Sequence, residues 1–170
     1  AGVRNRPQRN AYHRFTVDRH LLEAAANASQ LVDRVERPDL LVVGALLHDI
    51  AKGRPGDHTE VGMELIAEIG PRMGFDADDT AVLVDMCRYH LLLPDIATRR
   101  DISDETTVTM IANAVGDPVR LHLLAALTEA DSLATGPAAW GAWKAELVRE
   151  LVRRVDHHFE GGAQASLSTI

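Results

Sequence analysis

Hydrophobic residues recur at helical spacing along most of this chain, which predicts a series of amphipathic helices. The first apolar stripe follows Thr16, a suitable N-cap residue, and runs from Val17 in steps of three or four residues up to Pro38. Residues 40–47 are apolar without interruption and follow Pro38, a residue suited to the start of a helix. We therefore predict a first helix up to about residue 37 and a buried second helix that ends near Gly53. A strand is the weaker interpretation of the second run.

Capping residues and chain breakers predict the remaining helices. Asp57 with Glu60 three residues later has the pattern of a helix start, and Gly70 marks the end of that helix. Pro94 is expected to stop the helix before it, so we predict that segment 92–103 is an irregular, charged loop that could border a pocket. The helices predicted after the second one cover residues 57–70, 76–93, 103–115, 119–133 and 138–159.

The composition agrees with a helical domain. Apolar residues make up 46% of the chain and aromatic residues only 4%, with Ala, Leu and Val prominent, which favours helix packing over a β-sandwich. A chain of 170 residues is long enough for one ordinary domain. We predict an all-α bundle of six or seven helices over residues 14–160, preceded by an arm or linker remnant (1–13) and followed by a disordered tail (161–170).

Charge and cysteine content limit the classes of partner and compartment. The formal net charge is −7, which argues against a general nucleic-acid-binding surface. The single cysteine, Cys87, can form no disulfide within the chain, and no stretch resembles a signal peptide or a membrane span. We therefore expect a cytoplasmic protein with neither a nucleic acid nor a membrane as partner.

Six side chains that can bind metals fall on or beside the predicted core-facing stripes. The adjacent His48 and Asp49 interrupt an apolar run, and buried polar groups of this kind need partners. His20, His90 and Asp131 take inward positions on other predicted helices. His58 lies in the first turn of the third helix. The candidate metal ligands are His20, His48, Asp49, His58, His90 and Asp131.

Imidazoles and carboxylates together suit one or two divalent ions. Mn²⁺, Mg²⁺ and Fe²⁺ are favoured over Zn²⁺, and the absence of thiolates from the set argues against a structural zinc site. Two ions about 3.5–4 Å apart, which one aspartate can bridge, would hold the attacking and leaving oxygens of a phosphoryl transfer and lower the pKa of bound water to about 7. The residues alone therefore favour hydrolysis of a phosphate ester.

Each candidate also has a purely structural interpretation. A single buried histidine is commonly a hydrogen-bonded core residue, and a single inward aspartate is commonly paired or capping. His58 could point to solvent, and Lys52 either complements the dipole at the end of the second helix or faces a phosphate. No functional role is assigned to the remaining histidines or to the arginine pair, which are His13, His122, His157, His158, Arg99 and Arg100.

The order His20, His48-Asp49 and Asp131 resembles that of the HD-domain metal-dependent phosphohydrolases, which are helical proteins that bind a first metal at these positions. His58, with Gly62 four residues later, and His90 resemble the ligands of a second metal in binuclear members. The Gly-Tyr-Pro sequence that marks cyclic-di-GMP phosphodiesterases does not follow His90, so that activity is not expected.

A closer resemblance is to the HD domain of the bifunctional PII uridylyltransferase/uridylyl-removing enzymes. It rests on residues 12–20, 46–53, 57–58, 127–132 and 140–144, and it spans roughly residues 10–155. In that family the domain lies between a nucleotidyltransferase domain and glutamine-sensing ACT domains, which do not fit within 170 residues. The chain therefore resembles a domain excised from a longer protein of nitrogen regulation.

The resemblance implies hydrolysis of the phosphodiester that joins UMP or AMP to a tyrosine of the PII signalling protein. Asp49 would act as a bridging metal ligand, and Lys52 would stabilise charge on the phosphoryl oxygens. Phenolate, with a pKa of about 10, is a fair leaving group that needs little help from a general acid. The alternatives are an HD phosphohydrolase acting on a free nucleotide and a non-catalytic regulatory HD module.

Overall fold

The computed structural model describes residues 17–168, with side chains as far as residue 163, and its regular structure there is entirely helical. The all-α prediction is confirmed. The predicted arm at residues 1–13 and the Thr16 cap lie outside the described residues. The α-helices are α1 (Val17–Ser29), α2 (Pro38–Leu47), α3 (His58–Arg72), α4 (Ala77–Arg88), α5 (Leu92–Arg99), α6 (Glu105–Val115), α7 (Pro118–Thr135) and α8 (Ala142–Ser168), with short 3-10 turns at Val32–Arg34 and Pro137–Ala139.

Aspartate side chains cap four of these helices. Asp57 accepts hydrogen bonds from the backbone N–H groups of Thr59 and Glu60 at 2.9 and 3.3 Å, which confirms the predicted start of α3. Asp76, Asp104 and Asp117 accept in the same way at the starts of α4, α6 and α7. These local bonds explain why the starts of these helices could be predicted closely.

Two early helix ends were predicted too late. α1 ends at Ser29, whose hydroxyl donates to the Ala26 carbonyl, and the chain tightens into 3-10 hydrogen bonds before Pro38. α2 ends at Leu47, and residues 48–53 form successive turns where the helix was predicted to continue. Apolar spacing continues through both turns because their side chains still face the core, so it does not mark the helix ends.

The predicted loop at 92–103 is wrong, because Leu92–Arg99 forms the helix α5. Pro94 occupies the third position of α5, where a backbone N–H has no intrahelical acceptor and a proline costs little. The break instead occurs after Arg88, the last residue of α4. The described residues therefore contain eight α-helices, whereas the sequence predicted six or seven.

The last helix also differs from its prediction. α8 begins at Ala142, after the 3-10 turn at Pro137–Ala139, and extends to Ser168. The predicted disordered tail is therefore helical over residues 161–168. Gly161 and Gly162 each cost about 1 kcal/mol in a helix interior but do not break it, and no proline follows them.

Helix α7 lies between two hydrophobic clusters. Leu123 and Leu127 pack in a cluster with residues of α1–α4, whereas Leu121 and Leu124 pack in a cluster with residues of α5, α6 and α8. Because one helix contributes to both clusters, residues of α7 can face side chains from both ends of the chain. No helix among the described residues has the length and apolar character needed to cross a membrane.

Candidate metal centre

Three predicted ligands from three different helices meet in the core. The Asp131 Oδ1 atom of α7 lies 2.7 Å from His20 Nε2 of α1 and 3.2 Å from His48 Nε2 at the end of α2. One ligand atom from each residue lies within 4.8 Å of the others. Both histidines are only 1% exposed. This spacing is compact enough for one ion to contact all three side chains.

Helix packing produces this cluster. α1 packs against both α2 and α7, so His20 on its buried stripe reaches both neighbours. His48 follows the last residue of α2 and still has helical backbone angles, which keeps its ring directed along the buried face. The three residues lie 28 and 83 positions apart in sequence, and only the bundle brings them together.

Hydrogen bonds to backbone carbonyls fix the orientation of two histidine rings. His48 Nδ1 donates to the Ala45 carbonyl at 2.7 Å, and His90 Nδ1 donates to the Cys87 carbonyl at 2.7 Å. A carbonyl can only accept, so the proton lies on Nδ1 and each Nε2 is directed elsewhere. This is the arrangement by which proteins orient metal-binding imidazoles.

The electrostatics of the cluster favour a positive charge at its centre. Burial lowers the pKa of His48, but the carboxylates of Asp131 and Asp49 outweigh it and raise the pKa to about 9. Burial raises the pKa of Asp131, yet His48 and His20 hold it well below its usual range. Burial and the neighbouring His48 lower the pKa of His90, which favours its neutral form.

Two buried atoms test whether the donor set fits a metal ion. Asp49 Oδ1 is buried and makes no hydrogen bond to any described residue, and the buried His48 Nε2 faces Asp131 Oδ1 at 3.2 Å. Leaving a buried oxygen such as Asp49 Oδ1 unsatisfied costs about 1–3 kcal/mol. In its neutral form His48 offers a lone pair on Nε2, which joins the carboxylate oxygens of Asp49 and Asp131 in a nitrogen and oxygen set that fits Mn²⁺, Fe²⁺ or Mg²⁺.

The other predicted site residues lie beside the three-residue cluster. His58 Nε2 is 3.8 Å from Asp49 Oδ1 and its side chain is 47% exposed, while Lys52 Nζ is 3.7 Å from Asp49 Oδ2. The His90 ring lies 5.2 Å from that of His48, centroid to centroid. Asp49, His58 and His90 are outside the group of ligand atoms within 4.8 Å, so their roles as ligands stay predictions.

A cavity of about 530 Å³ opens over these residues. Asp49, His58, His90 and Asp131 all line it, and α5 supplies part of its wall, so the segment at 92–103 does border a pocket although it is not a loop. The lining residues to which sequence reasoning gave no role include Asp95, Ser132, Thr135 and Lys144. One signal was present for Lys144, because it is one of only two lysines in the chain.

The residues predicted to have no role in the site lie away from this cavity where the structure describes them. His122 instead pairs with Glu36 and Asp156, at 2.6 and 2.8 Å. Arg99 and Arg100 are exposed, at the end of α5. Asp76-Ala77-Asp78 forms the start of α4, as predicted. His13 lies outside the described residues.

Comparison with known proteins agrees with this geometry. A family model described as the HD domain matches residues 17–136, which is more than half of the chain, so the chain belongs to the HD-domain family. The predicted resemblance is confirmed.

Its curated relatives carry the name bifunctional uridylyltransferase/uridylyl-removing enzyme. The protein of Streptomyces coelicolor is 56% identical over 162 residues, which cover 95% of this chain and 19% of the relative. That of Mycobacterium tuberculosis is 51% identical over 153 residues, covering 89% of this chain and 19% of the relative. The Bordetella pertussis protein is 38% identical, covering 96% and 20%. The chain thus spans about a fifth of the length of these relatives.

Proposed function

We propose that this domain is a metal-dependent phosphodiester hydrolase that removes a uridylyl group from a tyrosine of the PII nitrogen-signalling protein and releases UMP. The main support is the group formed by the buried His20 and His48 with Asp131, which lines the cavity. Asp49 also lines it, and its buried Oδ1 makes no hydrogen bond to any described residue. The uridylyl-removing activity named for the relatives supports the choice of nucleotide.

The charges that line the cavity support an anionic substrate only once a cation is bound. Asp49, Asp95 and Asp131 contribute three carboxylates, and Lys52 and Lys144 contribute two ammonium groups. With neutral histidines the formal charge of the lining is therefore −1, which repels a phosphodiester. One divalent ion changes it to +1, so substrate binding should depend on metal.

The residues of the chain have separate roles in the proposed reaction. His20, His48, Asp49 and Asp131 would hold the first ion, and His58 and His90 would complete the second site with Asp49. A bound divalent ion polarises a phosphoryl oxygen and lowers the pKa of water to about 7. The backbone carbonyls of Ala45 and Cys87 keep the His48 and His90 rings oriented.

Lys52 would act on the phosphoryl group. Its ammonium lies on the cavity wall beside Asp49, where it can stabilise charge that builds up on the non-bridging oxygens. The tyrosyl oxygen leaves as a phenolate with a pKa of about 10, which needs no strong general acid. In a longer chain, flanking nucleotidyltransferase and ACT domains would connect this activity to nitrogen regulation in the cytoplasm.

Elemental analysis and product release together test the proposal. The wild-type domain, supplemented with Mn²⁺ and desalted, should retain one or two ions per chain and release UMP from uridylylated PII. His48→Ala/Asp49→Ala should lose the ions and at least about 100-fold of the activity, because it removes two ligands. His157→Ala/Glu160→Ala removes an exposed histidine–carboxylate pair from α8 and should change neither.

The contrary outcomes separate the alternatives. A wild-type domain that binds no metal after supplementation would contradict the hydrolase and favour a regulatory module. Hydrolysis of free nucleotides without hydrolysis of uridylylated PII would retain the chemistry but replace the substrate.

A further inference from the structure

Both lysines of the chain line the same cavity. Lys52 and Lys144 are the only lysines among 170 residues, and the other cationic side chains, apart from histidine, are all arginines. None of the arginines in the described part of the chain lines this cavity. A lysine presents a compact charge with three rotatable donors, whereas arginine presents a wide planar fork. The cavity therefore combines two compact cations with the candidate metal centre.

The backbone holds the ammonium of Lys144 at the cavity wall. Lys144 is the third residue of α8, and its Nζ donates to the Ala139 carbonyl at 3.0 Å. Ala139 lines the cavity as well. One of the three protons of Nζ is used in this bond, which leaves two for a bound group. Lys144 forms no ion pair with any carboxylate among the described residues.

Helix stability does not explain a lysine at this position. The first turn of a helix is the positive end of its dipole, where a cation is unfavourable and an acid is preferred. The first turn of α8 contains no acidic residue that could offset the charge. Lys52 differs, since it lies 3.7 Å from the Asp49 carboxylate beside the proposed metal ligands.

We infer that Lys144 is a substrate-binding residue whose ammonium binds a non-bridging phosphoryl oxygen of the nucleotide, and that it also binds the phosphate of the released UMP. The identity of the nucleotide rests on the proposed function. UMP carries nearly two negative charges at neutral pH and the diester carries one, so loss of Lys144 should weaken product binding more than substrate binding.

Calorimetric binding of UMP to the Mn²⁺-supplemented domain tests this inference without requiring turnover. Lys144→Met should weaken UMP binding about tenfold or more, as expected for loss of a charge-assisted hydrogen bond. Lys144→Arg keeps the charge and should remain closer to wild type than Lys144→Met. Arg153→Met removes an exposed cation from the same helix and should bind UMP as the wild type does. Metal content and circular dichroism should be unchanged in all three variants.

Steady-state hydrolysis of uridine 5′-(4-nitrophenyl) phosphate provides the second readout. Lys144→Met should raise KM and the inhibition constant of UMP, the latter by the larger factor, with a smaller change in kcat. UMP affinity within twofold of wild type in Lys144→Met would overturn the inference, and so would a wild-type domain that binds no UMP. A wild-type domain that binds UMP but hydrolyses no diester would contradict the proposed function and leave the role of Lys144 in binding intact.

Discussion

At the scale of single residues, Asp49 has different neighbours on its two carboxylate oxygens. Oδ1 faces His58 at 3.8 Å and Oδ2 faces Lys52 at 3.7 Å. The sequence left open whether Lys52 complements the dipole of α2 or faces a phosphate. α2 ends at Leu47, five residues earlier, and dipole effects fall off within the last turn of a helix. This separation weakens the dipole interpretation. Lys52 lies instead on the cavity wall.

Lys52→Ala is expected to reduce kcat for uridylylated PII about 10- to 100-fold, because a cation that stabilises charge in the transition state is lost. Elemental analysis should show unchanged metal content, since the proposed ligands remain. Lys52→Arg keeps the charge and should retain part of the activity. A rate equal to wild type in Lys52→Ala would remove the residue from the proposed mechanism.

At the scale of helices, a glycine sets the approach of α3 to α4. A Cβ atom at Gly70 of α3 would lie 2.7 Å from Thr80 Oγ1 and 2.8 Å from Thr80 Cγ2 of α4. Thr80 Oγ1 is buried and makes no hydrogen bond to a described residue. The contact of these two helices therefore depends on the small size of one residue and tolerates a polar group that contributes nothing to hydrogen bonding.

Gly70→Ala should lower the free energy of unfolding by about 1–3 kcal/mol, because the added methyl group overpacks the helix contact. In a Thr80→Ala background the same change should cost less, since Oγ1 and Cγ2 are gone and only the Cβ atom of residue 80, at 3.2 Å, stays close to the added methyl group. Gly161→Ala, at an open helical position of α8, is the control and should not destabilise. Chemical denaturation of Gly70→Ala, Thr80→Ala, the double variant and the Gly161→Ala control measures the coupling free energy between residues 70 and 80. An equal cost of Gly70→Ala in both backgrounds would contradict the steric explanation.

At the scale of the whole molecule, His122 of α7 connects three parts of the chain. Its Nδ1 lies 2.6 Å from Glu36, before α2, and its Nε2 lies 2.8 Å from Asp156 of α8. Both ring nitrogens face carboxylates, so the imidazolium form is favoured. Burial lowers the pKa of His122, but the hydrogen bonds to Glu36 and Asp156 outweigh it and raise the pKa. His122 and Arg149 line a second cavity of about 370 Å³, separate from the one over the candidate metal centre.

A raised pKa in the folded state means that His122 stabilises the fold fully below its unfolded pKa of about 6.5 and loses this contribution as pH rises through the folded pKa. His122→Gln should therefore destabilise the domain most at about pH 6, by roughly 1 kcal/mol, with a smaller deficit at alkaline pH. Urea denaturation of the wild type and of His122→Gln, from about pH 6 to alkaline pH, measures the difference in their free energies of unfolding. Titrating groups that the two proteins share cancel in this difference. A deficit that stays constant with pH would contradict the ion-pair explanation.

Local signals account for what could be predicted at each scale. The starts of α3, α4 and α6 were predicted to within two residues, because the capping bonds of their aspartates span only two or three residues. The ends of α1 and α2 were not, because apolar residues still face the core in the turns that follow. Pro94 was misleading because a proline ends a helix in its interior but is tolerated in a first turn, and sequence spacing did not show where α5 begins.

The sequence by itself determined that this is an all-α protein, where most helices begin, and that His20, His48, Asp49, His90 and Asp131 are core-facing or next to the core. Periodicity is a property of each segment, so it needs no knowledge of neighbouring segments. The tertiary structure alone decided that His20, His48 and Asp131 share one centre, that α5 closes part of the cavity, and that Lys144 reaches the same cavity as Lys52. These relations depend on how α1, α7 and α8 pack, and packing is set by contacts between residues far apart in the chain.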